Sequence, residues 1–222
     1  MPNPLDPFDA SRRQFHRLLL ATLAASVLPA RAAAPDWLPI VPPQPGDSPG
    51  KIEVLEFYSW GCPHCRHFNP LVSRWAEKLP KDVTFKKVPV SFGRAAWSNL
   101  ARLYYALDGL GELKRLDDAV FAAIHDRHIN LYTEAEALAW VKQQGVDPRR
   151  FSDAFTSFST ETQVTRAEQL SRAYKVDSVP LLTVAGRYRV VGQPEHDQAW
   201  LLKVADELIE MTRKDMTKGG KH

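Results

Sequence analysis

Two apolar runs with different periods follow residue 50 of the chain. Residues 52–58 mix β-branched and aromatic residues in one short run, which predicts a buried strand. Pro63 suits the first turn of a helix, and the apolar residues after it recur at helical spacing: Phe68, Leu71, Val72 and Trp75. We therefore predict a helix from Pro63 to about Leu79 and a second strand over residues 83–90. Such a strand, helix and strand form a βαβ unit with parallel pairing.

The remaining segments show helical and strand periods in turn. Residues 93–174 predict a block of helices, one opened by the capping-box pattern Thr133–Glu136 and another by Asp147-Pro148. Two short strand patterns then flank Ala185-Gly186-Arg187 and predict a hairpin, which an amphipathic helix follows to about residue 213. The Pro- and Gly-rich residues 35–50 predict an extended lead-in without a folded element. Residues 214–222 predict a flexible polar tail.

Residues 1–34 have the pattern of an export signal. Three arginines (12, 13 and 17) precede an apolar run of 11 residues, Leu18–Leu28, and small residues that suit cleavage stand at 30–34. The run is shorter than the roughly 20 residues of a membrane-spanning helix. Residues 11–15 also resemble the twin-arginine motif. Paired arginines are common in ordinary signals, so both export routes remain open. We expect an exported protein whose signal is removed.

Removal of the signal also changes the charge of the chain. The full sequence has 29 Lys+Arg and 26 Asp+Glu, and residues 1–34 contain four of the arginines and two of the aspartates. The mature chain would therefore carry a net charge of +1. The basic charge of the precursor is thus no argument for nucleic-acid binding, and we predict none.

The only two cysteines are Cys62 and Cys65, in the run Cys-Pro-His-Cys. A disulfide between them closes a loop too small to stabilise a fold, because the benefit of a cross-link grows with loop length. A zinc site would need His64 or His67 crowded into the same turn, and c-type haem needs histidine where Arg66 stands. We therefore predict no metal and no cofactor, and a pair of thiols placed for chemistry.

From about residue 50 to residue 213 the chain resembles the DsbA-type periplasmic thiol:disulfide oxidoreductases of the thioredoxin superfamily. The matches are residues 54–59 before Cys-Pro-His-Cys, Leu79-Pro80 before residues 83–92, and Ser178-Val179-Pro180 before residues 186–188. The resemblance implies an α/β thioredoxin fold, βαβ…ββα, with an inserted helical subdomain. Its expected parts are an N-terminal half at 51–92, the insertion at 93–174 and a C-terminal half at 175–213.

The chemistry assigns different roles to the two cysteines. Disulfide exchange needs an attacking thiolate and a second thiol that resolves the mixed disulfide. At a helix start Cys62 is the exposed attacking sulfur, and Cys65, one turn further, is the buried resolving thiol. Pro63 and His64 lie between them, and His64 adds to the helix N-terminus in stabilising the thiolate. A pKa of about 4 for Cys62 would move the potential by roughly 90 mV toward oxidising.

The resemblance implies four further site residues. Charged Glu56 and Lys87 lie in apolar strand patterns, where the plain interpretation is a solvated strand face. The resemblance instead implies a functional Glu56 with Lys87 as its partner, relaying the proton of Cys65; Lys86 is the alternative if the register differs. It also implies a cis bond between Val179 and Pro180, with the Val179 backbone free to pair with an extended substrate.

The resemblance implies an enzyme that oxidises dithiols of newly exported, folding proteins through a Cys62 mixed disulfide resolved by Cys65. We expect a monomer that a DsbB-like membrane partner reoxidises. One alternative is a reductase or isomerase of the same fold, although no second, dimer-forming domain is evident. Another is a peptide-binding chaperone whose thiols are incidental. His125 and His128 are expected to be surface histidines.

Overall fold

The computed structural model describes residues 35–219, so the predicted export signal lies outside the described residues. This part of the chain contains five strands and seven α-helices. The strands are β1 Trp37–Pro39, β2 Ile52–Tyr58, β3 Val83–Pro89, β4 Leu181–Val184 and β5 Tyr188–Val190. The helices are α1 Pro63–Ala76, α2 Ala95–Gly109, α3 Leu113–Phe121, α4 Glu134–Gln143, α5 Pro148–Phe155, α6 Phe158–Ala173 and α7 Gln198–Gly219. A π-helical turn, Ala122–Asp126, continues α3. Among the helices of residues 35–219, none has both the length and the hydropathy of a membrane-spanning helix.

Strand β2 is at the centre of the fold and ends at the Cys-Pro-His-Cys run. The sheet order is β1-β5-β4-β2-β3; β2 pairs parallel with β3 and antiparallel with β4. All seven β2 residues are buried, because helices pack on both faces of the sheet. One face packs against α1 and α7 around Val54 and Leu208, and the other against α6 around Phe57 and Ala167. The thioredoxin fold with its helical insertion is confirmed.

The insertion, α2 to α6, has an apolar core of its own. Leu103, Leu107, Phe121, Trp140 and Phe151 are among its fully buried side chains, and the same cluster extends to Tyr58, Trp60 and both cysteines. The predicted helix starts are confirmed. Thr133 accepts a bond from the Glu136 N–H, and the Asp147 carboxylate accepts one from the Arg150 N–H at 2.7 Å. The active-site turn is therefore packed against the insertion.

Two predictions about the ends of the domain were wrong. The lead-in contains strand β1, which pairs antiparallel with β5 at the sheet edge. The ring of Trp37 contacts Tyr188 edge-on at 5.0 Å, and an edge position tolerates the missing N–H of Pro39. The predicted polar tail is helical as far as Gly219, because no helix-breaking residue precedes the two glycines 219 and 220. Helix α1 ends at Ala76, three residues before the predicted end.

Candidate active site

The Cys-Pro-His-Cys run lies where β2 turns into α1. Cys62 is the N-cap residue of α1, with extended backbone angles, and Pro63 occupies the first helical turn, as predicted. The Cys62 N–H donates to the Ser59 carbonyl at 3.0 Å, which closes the turn. No acidic residue stands in the first turn of α1, so the free N–H groups there leave a positive potential beside the sulfur. Backbone geometry thus prepares the site for a thiolate.

Cys62 is less exposed than the sequence indicated. Only 6% of the residue is accessible, and Cys65 is fully buried, whereas Pro63 and His64 between them are exposed. The Cys62 thiol lies 3.5 Å from the Val179 carbonyl and donates to it. The loop before β4 therefore narrows solvent access to the Cys62 sulfur. The position of Cys62 at the start of α1 does not predict this long-range contact.

The Val179-Pro180 bond is cis, as predicted. It lies directly before β4, and β4 pairs with β2, so the fold carries Val179 to Cys62 from 117 positions further along the chain. Val179 is half-buried against the cluster that contains both cysteines. The thiol and the Val179 backbone therefore share one small opening.

The two thiols, which are free in this structure, have opposite acidities. Hydrogen bonding from the Cys65 thiol lowers the pKa of Cys62 to about 6, against the effect of burial, with further help from backbone N–H groups and His64. Burial, and then the Cys62 sulfur, raise the pKa of Cys65 far above that of a free thiol. At neutral pH the site therefore contains a Cys62 thiolate and a Cys65 thiol.

The effect on potential is smaller than the sequence estimate. With a pKa of about 6 rather than about 4, the pKa of Cys62 lies only about one unit below pH 7, which stabilises the thiolate by ~1.4 kcal/mol, or ~30 mV. This figure is an upper bound, because solvent at the opening screens the charge. The direction toward oxidising is unchanged.

Glu56 is buried beneath the cysteines. It is 1% accessible, and Lys87 is its register partner on β3. Its Oε2 atom has no hydrogen-bond partner within residues 35–219. Burial raises the pKa of Glu56 to about 7; the Lys87 charge lowers it and the Asp117 charge raises it. Glu56 also acts electrostatically on Cys65. The solvated-face interpretation of Glu56 is therefore wrong, and the carboxyl is suited to exchanging protons near pH 7.

Lys87 has a different ion-pair partner from the predicted one. Its ammonium lies 2.7 Å from the Asp117 carboxylate and donates to the Asn69 side-chain oxygen. Within the described residues, Glu56 forms no ion pair with Lys87, although Glu56 and Asp117 together raise the pKa of Lys87 against the effect of burial. Lys86, the alternative partner, pairs instead with Glu53 at 2.6 Å, because successive strand residues point to opposite faces.

Asp117 and Asn69 were missed in the sequence, although both are detectable there. Asp117 lies four residues after Leu113 and four before Phe121, so a carboxylate interrupts the apolar face of α3. Asn69 lies one turn after Cys65 on the buried face of α1 and donates to Asp118 at 2.7 Å. A polar residue within an apolar helical stripe was the available signal in both cases.

The prediction for His125 is also corrected, because it is not a plain surface histidine. Its Nε2 lies 2.7 Å from the Trp60 carbonyl, so Nε2 carries the proton and donates it. The ring stacks on Phe121 at 6.2 Å. The π-helical turn brings His125 to Trp60, two residues before Cys62, whereas His128 is exposed as predicted.

Gly61 allows a close approach beside Cys62. A Cβ atom at this position would lie 2.5 Å from the Trp97 indole nitrogen, so only glycine fits the turn without a shift of Trp97. Trp97 is itself held by Phe92 at 6.0 Å and by the Arg94 guanidinium at 4.9 Å over its ring. Helix α2 thus supplies one wall of the active-site turn.

Comparisons with known proteins agree with this geometry. A profile of the DSBA-like thioredoxin domain matches residues 53–199. The thiol:disulfide interchange protein DsbA of Bordetella parapertussis is 44% identical over 206 residues, which cover 90% of this chain and 98% of the relative. The Pseudomonas aeruginosa protein of that name is 37% identical over 207 residues, which cover 88% of this chain and 96% of the relative. The crystal structure of Pseudomonas aeruginosa DsbA superposes with a TM-score of 0.78 at 36% identity, over 82% of this chain and 94% of that chain.

Proposed function

This chain belongs to the DSBA-like thioredoxin domain family, and on that premise we propose that it is a periplasmic thiol:disulfide oxidoreductase that introduces disulfides into exported proteins. One observation carries the proposal: a Cys62 thiol with a pKa of about 6 lies three residues from a buried Cys65 whose pKa is raised. Stabilising the thiolate stabilises the reduced form, and this makes the disulfide form an oxidant.

Substrate oxidation takes two electrons from a substrate dithiol. A substrate thiolate attacks the Cys62 sulfur of the Cys62–Cys65 disulfide; the bond breaks and Cys65 leaves with the electron pair and takes up a proton. The second substrate thiolate then attacks the substrate sulfur of the mixed disulfide, and Cys62 leaves as a thiolate. Cys62 departs easily because its pKa is low.

Reoxidation follows the same path with a different partner. The Cys62 thiolate attacks a disulfide of the oxidant, and Cys65 resolves that mixed disulfide after losing its proton. We propose a DsbB-like, quinone-linked membrane protein as the oxidant. A monomer acting in the periplasm suits this cycle, because each step needs a single Cys62 opening.

Glu56 and Lys87 serve the proton of Cys65 in this proposal. Cys65 is fully buried, so its proton needs a nearby acceptor within the protein. Glu56 has a pKa of about 7 and interacts electrostatically with Cys65, which suits a group that takes and returns a proton near neutral pH. Lys87 balances the negative charge.

Val179 serves substrate binding. The Val179 backbone shares an opening with the Cys62 thiol. An extended substrate segment can therefore pair with Val179 while the substrate cysteine reaches the Cys62 sulfur. Main-chain pairing requires little of the substrate sequence, and this suits folding proteins with free thiols.

A titration of the redox couple against glutathione tests the direction of the reaction. We expect the disulfide form to be more oxidising than thioredoxin, whose potential is about −270 mV. A potential at or below that value would contradict the oxidase and favour a reductase. The reductase remains the second candidate because the Cys62 pKa of about 6 lies nearer the value of about 7 for thioredoxin than the value of about 3.5 for the strongest oxidant.

A further inference from the structure

The Asp117 carboxylate joins two groups of the active site that are far apart in sequence. One oxygen lies 2.7 Å from the Lys87 ammonium of β3. The other accepts the indole N–H of Trp60 at 2.8 Å. Trp60 lies two residues before Cys62, and Asp117 belongs to α3 of the insertion. A single side chain of the insertion therefore contacts both Lys87, beneath the cysteines, and Trp60 of the active-site turn.

Lys87 lies between two carboxylates, but among the described residues its ion pair is with Asp117 and not with Glu56. Strand register sets it opposite Glu56, yet its ammonium is bonded by Asp117 and by the Asn69 oxygen. Glu56, in contrast, keeps one oxygen without a hydrogen-bond partner in the part of the chain that the structure describes. A lysine bound only by Glu56 would hold that carboxyl permanently ionised.

We propose that Asp117 is a positioning residue that binds the Lys87 ammonium and so leaves Glu56 free to exchange a proton with Cys65. The inference rests on the proposed function. In the step concerned, the Cys65 S–H bond breaks and an O–H bond forms on Glu56, so a thiol and a carboxylate become a thiolate and a carboxylic acid. The reverse transfer accompanies the departure of Cys65 during substrate oxidation.

The charged groups around Glu56 support this arrangement. Lys87 of β3 and Asp117 of α3 are the two fixed charges that act on Glu56, with opposite signs. Tyr58 of β2 and Tyr104 of α2 also interact with Glu56, but burial raises the pKa of both well above 10, so they are neutral. Leu182, opposite Glu56 on β4, is uncharged. The pKa of Glu56 therefore depends on whether the Lys87 ammonium is bound by Asp117.

The network also has a route to solvent. Asp117 and Lys87 both line an open groove of about 1460 Å³, and their side chains are 17% and 11% accessible. Glu56 does not line that groove. Asp117 and Lys87 therefore face the groove, whereas Glu56 is sealed from it, and Asp117 acts on Glu56 through its charge.

Asp117→Asn is the principal test, because asparagine keeps the acceptor for Trp60 but loses the charge. The readout is the titration of Glu56 in the reduced protein, followed by NMR of 13C-labelled carboxyl groups. We expect its midpoint to fall by at least about one pH unit, because Lys87 then has Glu56 as its nearest carboxylate. Resolution of a glutathione mixed disulfide at Cys62 should slow several-fold at pH 7, since a weaker base accepts the Cys65 proton.

A second variant separates charge from packing. In Asp117→Asn/Lys87→Met the ammonium is absent, so the Glu56 midpoint should rise above its value in Asp117→Asn. A purely structural disturbance would not be reversed in this way. Asp117→Glu, which restores the charge, should return the midpoint toward that of the original protein.

Asp126→Asn is the matched control, since it also breaks a carboxylate ion pair, with Arg66 at 2.7 Å, outside this network. It should leave the Glu56 titration unchanged. An unchanged or raised Glu56 midpoint in Asp117→Asn would overturn the inference. Dithiol oxidation by the unmodified protein is measured separately; its absence would refute the proposed function while the Glu56 titrations still test the role of Asp117.

Discussion

The opening of the active site and the layer beneath it are built in different ways. At the opening, Cys62 is held by backbone groups: the Ser59 carbonyl accepts its N–H, and the free N–H groups of α1 lie beside its sulfur. The Val179 carbonyl accepts a hydrogen bond from the thiol when it is protonated. Beneath the opening, Glu56, Lys87 and Asp117 are side chains from three elements, held by one another's charges. The opening stabilises an ionised sulfur, whereas the layer below keeps a carboxyl near its point of titration. Backbone dipoles survive most substitutions, and a balance of buried charges does not.

The largest expected effect is at the opening. Cys62→Ser should abolish dithiol oxidation, because Cys65 alone cannot form the intramolecular disulfide that a substrate thiolate attacks. Cys65→Ser should also abolish turnover yet still form a stable mixed disulfide through Cys62. Mass spectrometry of trapped complexes separates the two variants. Trapping by Cys62→Ser alone would reverse the assigned roles, and equal trapping by both would contradict them. Export-folding activity that survives both substitutions would favour the chaperone.

The layer below should govern stability as pH changes in the reduced protein. The pKa of Glu56 is raised from 4.5 to about 7, so between these values the folded state binds more protons than the unfolded state. The free energy of unfolding should therefore fall as pH rises through this window, by ~3 kcal/mol in total. Denaturant titrations of the original protein and of Glu56→Gln measure the difference. A pH dependence that Glu56→Gln leaves intact would contradict the assignment.

A smaller effect is expected where α2 meets the opening. Gly61→Ala forces a Cβ to within 2.5 Å of the Trp97 indole nitrogen, and we expect a loss of ~1–3 kcal/mol in unfolding free energy from overpacking. The same substitution in a Trp97→Ala background should cost distinctly less. Equal costs in both backgrounds, in thermal unfolding, would mean that Trp97 is not the obstacle.

The smallest effect concerns His64. Its charge and backbone N–H both lower the pKa of Cys62, but after the hydrogen bond from Cys65 and the effect of burial. His64→Ala keeps the N–H and loses the charge, so the pKa of Cys62 should rise by less than about one unit. Thiolate absorbance as a function of pH measures this. A rise of several units would give His64 a larger role than backbone geometry.

The same contrast explains what the sequence could predict. Strand β2, the start of α1 and the caps at Thr133 and Asp147 depend on residues close in sequence, and their patterns predicted them. The partner of Lys87 depends on where α3 packs, 30 positions further along the chain. The burial of Cys62 likewise depends on a loop 117 residues away. The family resemblance predicted Glu56, Lys87 and Val179 as site residues. Asp117 was missed because its contact with Lys87 depends on how α3 packs in this chain.

The π-helical turn after α3 fixes the phase of the residues around it. An α-helix advances about 100° per residue, and a π turn accommodates one extra residue without rotating the segment after it. His125 on the Trp60 carbonyl and Asp126 on Arg66 both rely on that extra residue. Deleting one residue from Ala122–Asp126 would restore a regular helix, and we expect it to move His125 and Asp126, which lie within the turn, out of contact with Trp60 and Arg66. Here the number of residues in the turn, as well as their identity, determines which side chains contact the active-site turn.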